Sequence, residues 1–393
     1  MTGLWHAGMT LAGWAATLLA LTSASIWLYQ AARAVWGLRA PAPLIGRDDR
    51  FFGVLVPAHN EEGVLEPLFA SLKAVNYPAE RLAILFVADH CTDATVAQIR
   101  AAGFDCIDRQ SGERGKTSSL AEGIGRLLEQ HGDRLDAVAF FDADNLVDAE
   151  FFRQAAAGLE QGHPVLQGHV GVHNWDATLF SRLNYMNAVV ENRLEELARS
   201  QAGLSCNLRG HGMVMSRAIL QQVPWHAGTM VEDQEMLVRL VCSGHRVHWL
   251  EHARAASVLP ATAKEAAAQR RRWAGGRSAI VRSSVRDLWQ HWRKTGQASA
   301  LHLLIDFLLP SHAVQLSLMF MAILATAIVP GVGHWPFWLA LALLPAYLLY
   351  FLAGNWLSGV PARLALDVLY APAFIAWRTL IYLSSLGGAK RWR

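Results

Sequence analysis

The chain has 393 residues, long enough for one large domain together with further elements. Hydrophobic residues make up 53% and charged residues 17%, a composition more typical of a membrane protein than of a soluble one. A formal net charge of only +3 argues against a nucleic-acid partner. The four cysteines, at positions 91, 106, 206 and 242, have a spacing that favours neither a zinc site nor a disulfide framework.

The N-terminal stretch is apolar. Residues 1–32 contain no Lys, Arg, Asp or Glu, and residues 11–29 are nearly all apolar, enough to cross ~30 Å of hydrocarbon. A cleaved signal peptide would carry a basic segment and a shorter apolar one. We therefore predict a transmembrane helix within 1–32 and a linker over 33–50. Arginines in that linker place the next domain in the cytoplasm by the positive-inside rule.

Residues 51–260 show strands that alternate with helical stretches. Apolar strands are predicted at 52–57, 82–88 and 137–141, and polar or acidic residues follow each of them. This alternation favours parallel β-α-β units. Ligands of open α/β sheets bind beyond the carboxyl ends of the strands, so we expect the side chains that follow these strands to meet in one crevice.

Two carboxylates, Asp142 and Asp144, follow the third of these strands. Carboxylates at this spacing repel each other unless a cation lies beside them. Hard divalent ions prefer oxygen ligands, and Mg²⁺ is usually held by one or two carboxylates together with substrate phosphates. The pair therefore indicates a metal-assisted site for a nucleoside diphosphate, although Asp-x-Asp after a strand is also common as a polar turn.

Two further stretches carry candidate site residues. A basic, glycine-containing loop with Lys116 leads into a predicted helix at 120–130, which suits a phosphate. The loop lacks the spacing of a P-loop, and a solvated turn is an equal alternative. Glu232 and Asp233 open a predicted helix that runs to Cys242, where acidic residues also suit the helix dipole alone.

The middle and the end of the chain contain longer helical patterns. Residues 175–199 have apolar positions at helical spacing, which predicts an amphipathic helix packed on the sheet. Within the segment 261–310, residues 281–294 predict a basic amphipathic helix that lies on an anionic membrane surface. Residues 301–309 are too short to span and are predicted to be interfacial.

Two more transmembrane helices are predicted within residues 311–356, at 314–329 and 337–352. In the last segment, 357–393, residues 364–386 are apolar but contain charged residues and a proline, and a span here would place the basic C-terminal tail outside. We therefore predict an interfacial or re-entrant helix there. The total is three spans, with four as the alternative.

The order of the motifs resembles a known family. The motifs are Val56-Pro57-Ala58-His59-Asn60-Glu61, Asp89 with Asp93, Asp142-Ala143-Asp144, Glu232-Asp233, and Gln269-Arg270-Arg271-Arg272-Trp273. Followed by membrane helices, they resemble the membrane-embedded family 2 glycosyltransferases, the group of cellulose, chitin-oligosaccharide, hyaluronan and poly-N-acetylglucosamine synthases. The resemblance covers roughly residues 50–295. It implies an α/β GT-A fold with a Rossmann-like mixed sheet and an inverting transfer from a nucleotide-sugar donor.

The resemblance also implies roles for residues on the donor side. The nucleoside pocket would be lined by Pro57, Asn60, Glu61 and Asp89, and Lys116 would approach it. Asp142 and Asp144 would meet the sugar diphosphate. Asp144, with Asp142 beside it, would be a ligand of Mg²⁺ or Mn²⁺.

On the acceptor side, Asp233 resembles the general base and Glu232 lies next to it. The signature residues Gln269, Arg272 and Trp273 would lie near the diphosphate and the acceptor. Two departures from the family pattern stand out. A valine replaces the usual threonine before Glu-Asp, and the acceptor loop at 206–212 lacks the usual Cys-Gly-Ser, which obscures the acceptor.

The predicted function is sugar transfer from a nucleotide donor, expected to be a UDP-sugar, to a lipid-linked or glycan acceptor in cell-surface polysaccharide or glycolipid assembly. The enzyme is expected in the bacterial inner membrane, in contact with its lipids, with the catalytic domain facing the cytoplasm. A processive synthase that extrudes its own β-glycan is one alternative; three spans are few for it without a homo-oligomer or polysaccharide-assembly partners. A catalytically silent membrane scaffold is the other alternative.

Overall fold

The computed structural model describes residues 2–226, 231–258, 263–329 and 334–385. The chain begins with helix α1 (Thr2–Ala34), which continues into a 3₁₀ turn at Val35–Leu38. Residues Leu11–Leu38 are long and apolar enough to cross a membrane. The structure thus has an apolar N-terminal helix where the sequence predicts one.

A mixed sheet of eight strands forms the centre of the following domain. Its strands are β1 (Phe52–Ala58), β2 (Leu82–Asp89), β3 (Asp105–Arg109), β4 (Ala137–Phe140), β5 (Leu146–Val147), β6 (Val165–Val172), β7 (Met213–Ser216) and β8 (His248–Ser257). Their spatial order is β3-β2-β1-β4-β7-β6-β8-β5. The first four strands are parallel, and β7 runs antiparallel to both of its neighbours. The sheet is therefore Rossmann-like in its first half and mixed beyond it, as predicted.

Helices cover both faces of this sheet. They are α2 (Glu66–Lys73), α3 (Thr95–Ala101), α4 (Lys116–His131), α5 (Phe151–Glu160), α6 (Leu179–Val190), α7 (Ala198–Gln201), α8 (Arg217–Gln222) and α9 (Glu232–Cys242). Successive side chains of β1 enter opposite faces: Phe52, Val54 and Val56 belong to one buried cluster and Leu55 to the other. Burial on both faces explains why the central strands are apolar throughout.

The helix predicted at 175–199 begins later and contains an irregular segment. Thr178 caps α6, because its side chain accepts a hydrogen bond from the backbone N–H of Ser181 while the Ser181 hydroxyl accepts one from Thr178. Between α6 and α7 the chain forms a π-helix at Glu191–Leu197. Glu196 in this π-helix and Arg199 in α7 are both buried and form an ion pair at 2.9 Å. A period of 3.6 residues predicts a plain α-helix here.

The C-terminal part is helical. Its elements are α10 (Ala263–Thr295), α11 (Ala298–Leu308), α12 (His312–Ile328), α13 (His334–Leu357), a 3₁₀ helix (Ala362–Tyr370) and α14 (Ala371–Ser385). Helices α12 and α13 pack against α1, and α14 packs against both α12 and α10. The residues after 385, which include the predicted basic tail, lie outside the described residues, as does the predicted domain boundary at 260.

The apolar face of α10 is covered by protein. Val281, Val285, Leu288 and Trp292 pack into the same cluster as the core of the sheet domain, and so do buried residues of α11. The sequence predicts that this amphipathic segment lies on the membrane. The structure differs, because the core of the sheet domain covers this apolar face.

Three described helices are long and apolar enough to span: Leu11–Leu38, His334–Leu357 and Ala362–Ser384. Helices α11 and α12 pass the same test only as a pair, which is bent by 60°. Length and composition therefore allow three or four spans, the number that the sequence predicts.

The set of candidate spans differs from the prediction, since the segment at 364–386, predicted as interfacial, coincides with one of the three. Asp367 in that segment forms an ion pair with Arg182, Nε to Oδ2 2.6 Å. The pairing removes part of the cost of the charge that argued against a span.

Gly37 fixes the contact between the end of α1 and the π-helix. A Cβ atom at this position would lie 2.3 Å from the backbone oxygen of Arg193. We expect Gly37→Ala to push the two elements apart and lower the free energy of unfolding by about 1–3 kcal/mol, seen as a lower melting temperature in detergent. Gly125→Ala in α4 is the matched control, because a Cβ there meets nothing within 4 Å. Equal melting temperatures for the two variants would contradict the close contact.

Candidate active site

Two loops beyond the carboxyl ends of β1 and β2 are held in unusual conformations. Asn60 and His90, which follow these strands, have positive φ values of 56° and 52°. Residues with a Cβ atom adopt this conformation rarely, and such residues cluster at functional sites. The Asn60 side chain accepts a hydrogen bond from the backbone N–H of Thr92 at 2.8 Å, which ties the two loops together. Pro57, in β1, and Glu61, directly after Asn60, lie at the same end of that strand.

Asp89, at the end of β2, positions the loop before α4. One carboxylate oxygen accepts the backbone N–H of Gly115 at 2.7 Å, and the other accepts from Arg109 at 2.5 Å and from His90 at 2.9 Å. Burial raises the pKa of Asp89, but these hydrogen bonds together hold it below its ordinary value. Asp89 is therefore ionised and fixes the backbone immediately before Lys116. Its contact with a nucleoside stays a prediction.

Lys116, the first residue of α4, joins three segments that are distant in sequence. Its Nζ lies 2.6 Å from Oδ1 of Asp142 and 3.3 Å from Oε1 of Glu232, and it donates a hydrogen bond to the carbonyl oxygen of Gly210 at 3.3 Å. Burial lowers the pKa of Lys116, but the two carboxylates outweigh it and hold that pKa well above its usual range. A charged lysine thus brings the end of β4, the glycine-rich loop and the start of α9 to one point.

Three carboxylates crowd the crevice near the end of β4. Burial and then the charge of Asp142 raise the pKa of Asp144 to about 6. Burial, Asp144 and Asp142, in that order, raise the pKa of Glu61 to about 7. Asn145 links the pair after the strand, because its amide donates to Asp144 at 3.0 Å and its oxygen accepts the backbone N–H of Asp142 at 2.8 Å. A cation would relieve this repulsion.

The donor set suits a divalent ion that is completed by a substrate. Among the residues that the structure describes, no group of three or more His, Cys, Asp or Glu side chains could enclose a metal ion alone. Asp142 and Asp144 offer hard oxygen ligands, and Mg²⁺ or Mn²⁺ commonly takes its remaining ligands from phosphates and water. The residues present therefore fit the predicted cofactor.

Asp233 and Glu232 are neighbours in different environments. Glu232 faces Lys116, whereas burial and then the charge of Glu232 raise the pKa of Asp233 to about 7. The backbone N–H of Gln234 donates to Oδ1 of Asp233 at 2.8 Å. A Cβ added to Gly210 would lie 3.6 Å from the other oxygen, Oδ2, so the loop passes directly beside that oxygen. A carboxyl group whose pKa lies near neutral pH is suited to taking up a proton.

The signature residues lie on α10, which packs beside the start of α9. A Cβ added to Gly276 would lie 2.5 Å from Cγ1 of Val231, the residue before the two acids. Gln269 is half-buried, and the side chain of Trp273 is 54% exposed. The side chain of Arg272 lies outside the described residues. The described contacts bring α10 to the site but join neither Gln269 nor Trp273 to its carboxylates.

The loop from Leu204 to Gly212 is held by two buried side chains that sequence reasoning missed. Gln167 accepts the backbone N–H of Arg209 at 2.9 Å and donates to the carbonyl oxygen of His211 at 2.9 Å. Glu196, in the π-helix, accepts the backbone N–H and the side-chain amide of Asn207 at 2.8 and 2.9 Å. No local pattern marks either residue, because each acts on a loop far away in sequence.

His211 is also part of this crevice. His211 is only 7% exposed, and its Nδ1 has no hydrogen-bond partner among the described residues. Burial lowers the pKa of His211 to about 4, while the charges of Asp142 and Lys116 act on it in opposite directions. It is a neutral imidazole beside the charged centre. The glycines on both sides of it are the signal that sequence reasoning could have used.

Comparison with known proteins gives consistent matches. The sequence profile of the family described as "Glycosyltransferase like family 2" matches residues 49–276. Probable glycosyltransferase YdaM of Bacillus subtilis (strain 168) is 25% identical over 251 residues, which cover 61% of this chain and 58% of that protein. Glucomannan 4-beta-mannosyltransferase 7 of Arabidopsis thaliana is 24% identical over 262 residues, which cover 61% and 46%. The chain thus matches about half the length of these relatives.

A solved structure matches the fold along nearly the whole chain. The mannosyltransferase PcManGT from Pyrobaculum calidifontis, in complex with GDP-Man and Mn²⁺, superposes with a TM-score of 0.60 at 18% identity. The match covers 95% of this chain and 99% of that one. The family match over more than half of the chain and this shared fold lead to one conclusion. The protein belongs to glycosyltransferase family 2, and its sheet domain has a GT-A-like fold.

Proposed function

We propose that the protein transfers a sugar from a nucleoside-diphosphate donor to a membrane-resident acceptor, with inversion at the anomeric carbon. One observation carries the proposal: Lys116 binds both Asp142 and Glu232. It thereby places acids suited to a metal-bound diphosphate beside Asp233, a carboxylate whose pKa of about 7 suits a base. These two chemical roles are the ones that sugar transfer needs at adjacent points.

On the donor side, Asp142 and Asp144 would hold Mg²⁺ or Mn²⁺. The ion, when bound, supplies positive charge that stabilises a leaving diphosphate. Lys116 adds a fixed positive charge from the protein at the same place, and Asp89 holds the backbone that presents it. Pro57, together with the residues of the two tied loops, would receive the nucleoside.

On the acceptor side, Asp233 would take the proton of the attacking hydroxyl. The bond from that oxygen to the anomeric carbon forms as the bond from the carbon to the diphosphate oxygen breaks, so one displacement inverts the configuration. Glu232 stays paired with Lys116, and its negative charge keeps Asp233 basic. Gln269, Arg272 and Trp273 would border the diphosphate and the acceptor.

We propose a UDP-sugar as donor and GDP-mannose as a second candidate. GDP-mannose is the second candidate because the solved mannosyltransferase that superposes along nearly the whole chain holds GDP-Man with Mn²⁺. The apolar helices support a membrane location, for which we propose the bacterial inner membrane with the catalytic domain in the cytoplasm. A lipid-linked or glycan acceptor for cell-surface assembly fits that location.

The test is nucleotide release by purified protein in nanodiscs made with membrane lipid extract. UDP-glucose, UDP-N-acetylglucosamine, UDP-galactose, UDP-glucuronate and GDP-mannose are offered in turn, with Mn²⁺, with Mg²⁺ and with a chelator. We expect one donor to give release that requires the metal. Glu66→Gln, an exposed acid on α2, is the control variant and should keep full activity. Failure of all five donors would favour the silent scaffold.

The pH dependence of kcat/KM should report the ionisation of Asp233. Below about pH 7 the base becomes protonated, so we expect kcat/KM to fall about tenfold per pH unit there and to level off above. Glu232→Gln removes the charge that raises this pKa, so its profile should move to lower pH. A profile that is flat through neutral pH, or one that Glu232→Gln moves to higher pH, would contradict the assignment.

A further inference from the structure

Two arginines lie where α10 packs against α14. The guanidinium carbon of Arg270, on α10, is 5.8 Å from the ring centre of Trp377 on α14. Arg378 follows Trp377 directly, and its guanidinium carbon is 5.7 Å from the ring centre of Phe374. The Arg378–Phe374 contact lies within α14, but the charge of Arg378 also acts on Arg270. Both positive charges therefore lie where the signature helix packs against a helix that is apolar enough to lie in a membrane.

Within the described part of the chain, neither arginine has a carboxylate oxygen within 4.0 Å. Arg270 donates a hydrogen bond to the amide oxygen of Asn184. The side chain of Arg378 has no hydrogen-bond partner among the same described residues. Glu191 is the acid whose charge reaches both arginines. Its own oxygens, however, accept from the side chains of Asn187 at 2.6 Å and Arg209 at 3.5 Å.

This arrangement is costly without an anion. Each guanidinium has five N–H donors, and removing a charge from water without a partner is unfavourable. Burial and then the charge of Arg378 lower the pKa of Arg270 to about 9, as expected of neighbouring like charges. Arg182 on α6, by contrast, has a carboxylate partner in Asp367. An ionisable residue in an apolar helix commonly marks a functional site.

The arginine pair also lies near the proposed chemistry. Gly276 packs on Val231, next to the two acids, and Arg270 is six residues away, about 9 Å along the helix. Arg209, which shares Glu191 with the pair, belongs to the loop that borders Asp233. Helix α14 also exposes two large apolar side chains, Leu380 and Leu383.

We propose that Arg270 and Arg378 bind the phosphate group of a lipid acceptor between α10 and α14. The inference rests on the proposed function, which it deepens by naming the acceptor class: a phosphorylated lipid whose headgroup carries the attacking hydroxyl. Phosphate oxygens match the fork of a guanidinium, and the aromatic rings beside the pair suit an apolar chain. The lipid chain follows α14, and the headgroup points along α10 to Asp233.

The test measures lipid binding without any donor, so it does not depend on catalysis. Full-length protein in neutral phosphatidylcholine nanodiscs is titrated with farnesyl phosphate, with farnesol and with inorganic phosphate. We expect farnesyl phosphate to bind at least about tenfold more tightly than either of the other two. Arg270→Gln and Arg378→Gln should each weaken that binding about tenfold or more, because each removes a charged hydrogen-bond donor.

Arg286→Gln is the matched control, an exposed arginine on the same helix, and should bind as the unchanged protein does. Arg270→Lys is used if Arg270→Gln fails to fold. It keeps the positive charge, so it should retain part of the affinity for farnesyl phosphate. Equal binding of farnesol, or unchanged binding by both glutamine variants, would overturn the site. Displacement of farnesyl phosphate by UDP or GDP would assign the arginines to the donor instead. Equal competition by phosphatidylserine, a phospholipid without a headgroup hydroxyl, would make the site a contact for bulk lipid.

The two proposals can fail separately. Phosphate-dependent binding that needs the arginines, in a protein that turns over no donor, would support the lipid site and refute the transferase reading. Donor turnover, combined with arginine variants that change neither lipid binding nor the KM for the acceptor, would support the transferase and refute the lipid site.

Discussion

Asp233→Asn is expected to lower kcat for sugar transfer by about 10²–10⁴-fold while leaving donor affinity nearly unchanged. Asparagine has the shape of aspartate but takes up no proton, and Asp233 is the acid whose pKa burial and Glu232 raise to about 7. The hydrogen bond from the backbone N–H of Gln234 can remain with the amide oxygen, so the fold of α9 should persist. The measurement is single-turnover transfer, with the donor dissociation constant determined separately by calorimetry.

The control for this variant is Glu66→Gln, which also removes one carboxylate but lies on the exposed face of α2. Its kcat should equal that of the unchanged protein. If Asp233→Asn kept more than about a tenth of the activity, the proton would have to leave by another route. If it lost donor binding as well, Asp233 would act on the diphosphate rather than on the acceptor.

Asp144→Asn is expected to abolish the dependence of donor binding on metal. The charge of Asp142 raises the pKa of Asp144, and the charge of Asp144 raises the pKa of Glu61 more than that of Asp142 does. Loss of a group that only supports a metal ligand typically costs ~10–100-fold in metal affinity, so loss of a ligand should cost about 100-fold or more. Mn²⁺ binding followed by electron paramagnetic resonance, with and without donor, measures this directly.

Asp233→Asn serves as the second reference in that experiment, because it should bind Mn²⁺ and donor normally. Wild-type Mn²⁺ affinity in Asp144→Asn would contradict the metal assignment. Weakened donor binding that is the same with Mn²⁺ and with a chelator would show that the aspartate contacts the sugar directly.

The main carboxylates could be located from the sequence because each follows a recognisable element. Asp142 and Asp144 come directly after an apolar strand, and parallel strands end at one edge of a sheet. The contact of Lys116 with Glu232 was beyond such reasoning. It depends on how the loop before α4 and the start of α9 approach each other, which no local pattern records.

The parts that sequence reasoning missed act through distant contacts. Gln167 and Glu196 shape the loop that carries His211, yet neither lies near that loop in sequence. The last apolar segment was predicted as interfacial because it contains charged residues and a proline and because a span there would place the basic tail outside. Arg182 supplies the partner of Asp367 from an element far upstream. The apolar periodicity of α10 likewise predicts a helix with one apolar face. It does not reveal whether a membrane or the core of the sheet domain covers that face.

The most direct test of the account is the anomeric configuration of the product, read by proton NMR after transfer from an α-linked nucleotide sugar. One base and one displacement predict a β-glycosidic bond, and Asp233→Asn should form almost none of it. An α-glycosidic product would contradict the account, because retention requires a second nucleophile and would remove Asp233 from the role that this structure favours.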